Sequence, residues 1–399
     1  MLIARFMLGP DIIIGKHKIY LIRTIAMSFS FGFTSNDFSD DELEDSIPSQ
    51  NISGQTKSCT IETLNPLDSE RLLQSDIAQP HLENLGLILT LLKDVRVSFE
   101  KVNTPITNAT LFRRELFDVK HQLMGEFDEL NNSNSTELEI LMGETSEDLR
   151  KNIYEGGLKS WECSIDLVEY LNDLDKSGKL NGIDTVVELG CGTALPSEFI
   201  FEMALKSNRT DPLTLVLSDY NNSVLRLVTI PNLIITWAKS VLNEEQWKTL
   251  QTSSDENIPV YDDELLFTQE LLEAFVKDLQ QRNIYLKFMS GSWSRKFSGM
   301  LKANINPSKG FLILTSETIY QPENLPVISE TVLDLILSYK ATVPTEALVA
   351  AKDIYFGVGG SIVEFENYLN NKINKDGLDF MHETFKINSG LKRSIVSIK

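Results

Sequence analysis

The chain has 399 residues, 42% of them hydrophobic, with 37 basic and 57 acidic side chains for a net charge of −20. That length holds one large domain or two ordinary ones, and that hydrophobic fraction suits a globular core. The acidic balance sets the chain against direct binding to nucleic-acid phosphates and favours a basic protein partner. The three cysteines, Cys59, Cys163 and Cys191, are scattered and match neither a disulfide framework nor a zinc spacing, which points to a reducing compartment. The four histidines are equally scattered, so no histidine triad or metal site is expected. No run approaches the roughly 18 uninterrupted apolar residues of a membrane helix.

Residues 1–26 are apolar and basic but broken by Pro10 and Asp11, and they lack the composition of a transit peptide. Met27 opens a very different stretch, MSFSFGF, so residues 1–26 are expected to be an upstream-start extension. Residues 27–84 are rich in Ser, Asn, Asp and Glu and are expected to form an acidic, largely flexible arm. In the accessory segment 85–147, LGLILTLLKDVRVSFEKV predicts a short helix or strand followed by a strand.

From Asp148 the pattern changes. Trp161–Leu174 has helical apolar spacing, and short apolar runs follow at Thr185–Leu189, Leu213–Leu217, Tyr285–Met289 and Gly310–Leu314. Helical patterns at 196–206, 221–241 and 323–340 alternate with them, which predicts a parallel sheet covered by helices. Residues 243–283 read as a polar insertion with a helical centre. The final stretch, LDFMHETFKINSGLKRSIVSIK, predicts an antiparallel hairpin turning at Asn388-Ser389-Gly390. In open sheets of this type ligands sit beyond the C-terminal strand ends.

Chemistry-bearing residues collect at those ends. VVELGCGTALPSEF is a strand, a glycine turn and a helix start, where Gly190 and Gly192 let the backbone approach a ligand. The third position of a dinucleotide fingerprint holds Leu195, which disfavours a dehydrogenase. Glu188 before the turn suits a cationic ligand better than a pyrophosphate, and the E-x-G-x-G arrangement resembles motif I of methyltransferases that use S-adenosylmethionine. Asp219 ends the next strand, where a carboxylate can accept from ribose hydroxyls. Gly291, Ser292 and Trp293 end a third, with the indole as a candidate adenine wall. In LTSETIY, Glu317 and Tyr320 sit where the fourth strand should stop. Gly156-Gly157, ahead of the first strand, reads as a flexible gate.

Taken together, YEGGLKSWECS (Tyr154–Ser164), LGCGTALP, SDYN (Ser218–Asn221), TIPN (Thr229–Asn232), SGSW, LTSETIY, YFGVGG (Tyr355–Gly360) and GLKRSIVSI resemble the histidine protein methyltransferases. The resemblance covers about residues 148–399 and touches MSFSFGF. It implies an α/β, Rossmann-like, seven-stranded S-adenosylmethionine-dependent methyltransferase domain with a C-terminal antiparallel hairpin and an N-terminal extension. It implies S-adenosylmethionine bordered by Trp161, Glu162, Cys163 and Ser164, with Glu188, Gly190 and Gly192 at its methionine end. Asp219, Tyr220 and Asn221 would take its ribose side, Gly291, Ser292 and Trp293 its adenine, and Ser316 the methyl-donor region. Tyr154, Tyr355, Phe356, Gly357 and Gly359 would line the acceptor side. Thr193-Ala194-Leu195-Pro196 departs from the usual small-residue run, and Pro196 is tolerated in a first helical turn.

The acceptor implied by the resemblance is a histidine of a basic large-subunit ribosomal protein, at its tele nitrogen; the net charge of −20, which an assembled, RNA-rich ribosome would repel, adds the expectation that it is modified before or during assembly. A monomer in cytoplasm and nucleus is expected, and charge and hydropathy lead to no expected membrane or direct nucleic-acid contact. Glu317 is expected to hold the acceptor ring, with Tyr320 as a wall of the slot. Two alternatives stay open at this stage: a lysine methyltransferase of the same class, and a non-catalytic escort that keeps the fold.

Overall fold

The computed structural model describes residues 64–130 and 156–399, except 208, 254, 356–358 and 388–389, with backbone alone for 126–130. The expected upstream extension, most of the acidic arm and the hairpin turn residues Asn388 and Ser389 lie outside the described residues. In chain order the strands are β1 (His81–Glu83), β2 (Arg96–Asn103), β3 (Thr110–Arg114), β4 (Thr185–Leu189), β5 (Leu213–Asp219), β6 (Glu264–Leu266), β7 (Ile284–Ser290), β8 (Phe311–Ser316), β9 (Thr345–Lys352), β10 (His382–Ile387) and β11 (Arg393–Ile398). The helices are α1 (Leu85–Leu92), α2 (Leu116–Leu130), α3 (Glu162–Lys176), α4 (Leu195–Lys206), α5 (Asn222–Val241), α6 (Glu244–Gln251), α7 (Gln269–Gln281), α8 (Arg295–Asn304), α9 (Leu325–Tyr339) and α10 (Ile362–Asp376).

The main sheet runs β1-β7-β5-β4-β8-β9-β11-β10. Strands β7, β5, β4, β8 and β9 pair in parallel, and β11 pairs antiparallel with both β9 and β10. These are the seven strands of the expected domain, with the predicted hairpin at one edge. An eighth strand, β1, pairs antiparallel with β7 at the other edge. The central strands are largely apolar because helices cover both faces, and β4 is buried at all five positions. The chain leaves β4 towards β5 on one side and returns to β8 on the other. The switch point therefore lies between the tips of β4 and β8.

Helix α5 is long and apolar enough to cross a membrane by length and composition, but 78% of that stretch is buried inside the protein. It is a core helix, with a π turn at Leu225–Thr229. A strand that the sequence reading passed over is β9. Its TEALVAAK has three alanines and little β-branching, so burial between β8 and β11 rather than propensity makes it a strand.

The accessory segment and the insertion are one structure. Strand β6, from within 243–283, pairs with β2 to complete a three-stranded sheet, β3-β2-β6. This small sheet is bolted to the main domain by buried polar groups. The Phe112 N–H and the Thr236 hydroxyl both donate to Glu198 Oε1, at 2.6 and 2.7 Å. Arg114, buried at 2% exposure, donates to Asp118, Gln122 and the Leu227 carbonyl, and its N–H donates to Asn232.

The arm also ends earlier than residue 84. Residues 64–80 run as two 3-10 turns and a loop packed on the domain, with Leu67, Leu72 and Ile77 buried. The polar composition hid this, because only a few apolar side chains anchor the stretch.

Glu198 has no exposure, and burial pushes its carboxyl from 4.5 up to about 8 despite its two donors. In the unfolded chain it ionises first, so its contribution to stability is fully present below the ordinary carboxylate range and is lost as pH rises towards about 8. Urea unfolding midpoints should therefore fall between about pH 5 and 8, and Glu198→Gln, which keeps an acceptor, should flatten that slope.

Candidate active site

The turn after β4 is built by glycine. Gly190 has φ +67°, and a Cβ there would lie 2.6 Å from Thr318 Cγ2 and 3.6 Å from the Trp293 ring. The Cys191 N–H donates to the Ser218 carbonyl, and the Asn232 amide donates to the Thr193 carbonyl, so neighbouring elements hold the loop from both sides. Asp219 closes the floor. Its Oδ2 accepts the Gly192 N–H at 3.0 Å and its Oδ1 accepts the Asn221 N–H at 3.1 Å.

Gly157 is not a hinge. A Cβ there would meet Val224 at 2.9 Å and the Asp219 carboxylate at 3.0 Å, so the residue is a close-packed spacer between the approach to α3 and the tip of β5.

One cavity opens above these tips. Of the sequence-predicted residues, Trp161, Ser164, Gly190, Gly192, Asp219, Tyr220, Gly291, Ser292, Trp293, Ser316, Glu317 and Tyr320 line it. Others do not. Glu162 points to Lys352, 3.1 Å away. Cys163 is fully buried behind the wall, and burial together with the nearby Glu317 carboxylate raises its thiol far above the usual range. Asn221 contributes its backbone to Asp219.

Glu188 lies beneath the turn rather than in the cavity. Its Oε2 accepts the Ser197 N–H at the start of α4, at 3.0 Å, and burial pushes its carboxyl up to about 8. A shielded, protonated carboxyl does not present the negative charge expected of it. Strand alternation explains the difference, since the side chain turns into the sheet–helix layer.

Tyr154, Phe356 and Gly357 lie outside the described residues. Tyr355 sits behind the cavity, and its hydroxyl donates to Glu317 Oε2 at 2.6 Å. Gly359 and Gly360 press on the segment after β8, where Cβ atoms would come within 2.6 Å of Pro322 and 2.3 Å of the Ile319 carbonyl. The YFGVGG and SETIY segments are thus neighbours.

Glu317 breaks a local rule. Its φ is +57°, a left-handed conformation unusual for a residue with a side chain, and its N–H donates to the Ala350 carbonyl. The side chain is 7% exposed. One oxygen takes the Tyr355 hydroxyl. The other, Oε1, is buried without a hydrogen bond, 3.8 Å from Lys352 Nζ. Lys352 is also near the Trp161 ring, at 5.5 Å. Burial works against its charge, but Glu317 and Glu162 more than offset this and raise its pKa.

The sequence reading missed part of the lining. Arg71, Leu72 and Ile77 come from the supposed arm, and Thr318, Asn324 and Val327 from the turn and helix after β8. No motif marks the first three.

Three buried polar atoms of the lining residues have no hydrogen-bond partner: Ser292 Oγ, Trp293 Nε1 and Glu317 Oε1. Native interiors seldom leave such groups unpaired without a functional reason. Together with the glycine cradle and the indole, they fit a nucleoside-bearing ligand with polar and apolar parts. The architecture and the site are those of an S-adenosylmethionine-dependent methyltransferase. The chain is 58% identical over 375 residues to Histidine protein methyltransferase 1 of Saccharomyces cerevisiae, covering 94% of this chain and 98% of that one. It is 37% identical over 287 residues to Histidine protein methyltransferase 1 of Schizosaccharomyces pombe, covering 72% and 76%. A solved magnesium protoporphyrin IX methyltransferase from Synechocystis, with bound SAH, overlays with TM-score 0.31 at 8% identity, covering 59% of this chain and 82% of that one. No family model matches. The chain belongs to the histidine protein methyltransferase family, and its methyl donor is S-adenosylmethionine.

Gly190→Ala should weaken S-adenosylmethionine binding by at least about tenfold, because the added carbon needs both a disfavoured φ and space held by Thr318. Isothermal titration calorimetry reads this directly, and an unchanged Kd would remove the cradle role.

Proposed function

We propose that the enzyme methylates the tele nitrogen of a histidine in a basic protein of the large ribosomal subunit, with Glu317 holding the acceptor ring. The coarser activity, methyl transfer to a protein histidine, comes with family membership. The observation that carries the role of Glu317 is its buried, hydrogen-bond-free Oε1 at the cavity wall.

Bound S-adenosylmethionine supplies an electrophilic methyl group on a sulfonium. Histidine needs little activation, because with an ordinary pKa of about 6.5 much of it is already neutral imidazole at pH 7. The protein's tasks are therefore orientation and tautomer control. Glu317 Oε1 accepts the N–H of the ring nitrogen that is not attacked. This fixes the tautomer, aims the other nitrogen, and stabilises the imidazolium charge that develops. The tele nitrogen is the one farther from the acceptor's main chain, so it reaches deeper into the cavity. Tyr355, through Glu317 Oε2, keeps the carboxylate from turning away. Tyr320, whose ring centroid lies 6.3 Å from that of Tyr355, forms a side of the slot.

The net charge of −20 suits a free, basic ribosomal protein and repels assembled, RNA-rich particles. Modification before or during assembly follows, in the cytoplasm and nucleus.

Two outcomes test this reading. Glu317→Gln should lower kcat by about 10²–10³ with the Kd for S-adenosylmethionine unchanged, as expected for loss of one charge-stabilising acceptor. Unchanged turnover would remove the role. Isotopically labelled S-adenosylmethionine, given with whole protein from cells lacking the enzyme, should label one basic ribosomal band as tele-methylhistidine. Free protein should be labelled faster than intact subunits. Label in the pros isomer would overturn the nitrogen, and label in another protein the substrate.

A further inference from the structure

Residues 71–78 lie outside the seven-stranded domain and carry no recognisable motif, yet Arg71, Leu72 and Ile77 line the cavity. The stretch is fixed at both ends. On one side, the Ala78 N–H donates to the Tyr220 hydroxyl at 3.0 Å, just past β5. The Ala78 carbonyl accepts the Ser292 N–H at 2.9 Å, just past β7. Gly291 is needed for this approach, since a Cβ would stand 2.5 Å from the Gln79 carbonyl. Strand β1 then continues along β7, with Ser290 Oγ donating to Glu83. On the other side, Arg295 of α8 grips Asp68 with two nitrogens at 2.9 and 3.0 Å, and the Asn65 amide donates to Glu330 of α9 at 2.8 Å. The strap thus crosses from the tips of β5 and β7 to α8 and α9.

Those two tips are where an adenosine belongs. An acid at the second strand tip takes ribose hydroxyls, and the base lies towards the third strand. The strap brings two buried aliphatic side chains to that place, Leu72 at 9% and Ile77 at 6% exposure. We propose that residues 71–78 form the apolar cover of the adenosine half of the cofactor site, with Leu72 and Ile77 in contact with the nucleoside. This inference rests on the cofactor, and is independent of which protein or nitrogen is methylated.

The test uses the full chain and S-adenosylhomocysteine, the product form of the donor. Leu72→Ser and Ile77→Ser should each weaken its binding by about tenfold, the scale of losing one buried aliphatic contact. The KM for the protein acceptor at saturating donor should stay within about twofold, a split that a general loss of stability would not produce. Kd values unchanged in both variants would overturn the proposal. Hydrogen exchange on the unaltered chain decides the matter even if a variant misfolds. Saturating S-adenosylhomocysteine should slow exchange at Leu72, Ile77 and Ala78, and no change there would equally overturn it. Absence of any binding to the unaltered chain would instead overturn the cofactor reading, and the strap with it.

Discussion

The Asp219 carboxylate is the tie on which the site depends. It holds the glycine turn after β4 through Gly192 and its own strand exit through Asn221, so two loops that would otherwise move separately share one charge. Gly157 packs against the same carboxylate, which brings the approach to α3 into the arrangement. Two backbone N–H donors also fix the orientation of the carboxylate. Any ligand that meets Asp219 meets a group already aimed.

A second layer of buried polar contacts supports that tie from behind. Asn232 joins the glycine loop to β3 by donating to Thr193 and accepting from Arg114. Glu198 joins β3 to α4 and α5. The accessory sheet is therefore a brace for the loop rather than an appendage. The TIPN motif, which carries no evident chemistry in the sequence, contains this connecting asparagine.

Much of the domain was legible because buried parallel strands leave an unmistakable mark. The apolar runs at β4, β5, β7 and β8 were placed to within a residue or two, and the glycine turn announced itself. Three things were hidden. Strand β9 is alanine-rich, and its state is decided by its neighbours. The strap is held by single contacts to distant residues, such as Ala78 to Tyr220 and Ser292 and Asp68 to Arg295, which leave no local pattern in the sequence. Glu188 was assigned by its position before the turn, but which face a strand residue turns to cannot be read from a run that is buried on both faces. Glu317 was legible as an oddity, an acid at an apolar strand tip. Its left-handed backbone and its Tyr355 partner, 38 residues on, were not.

The pairing of β1 with β7 also has a kinetic side. Glu83 and Ser290 are 207 residues apart in sequence, and Arg96 and Glu264, in the β2–β6 pair, are 168 apart. Such contacts form only after a large loop-closure cost has been met, and they come late in folding. The roof over the cavity and the brace behind it would then be among the last parts to settle, onto a core of β4, β5, β7 and β8 assembled earlier. A chain caught before that step would have its sheet and its glycine turn, yet hold the cofactor poorly. Cofactor supply then acts on the final stage of maturation by drawing late intermediates into the finished enzyme.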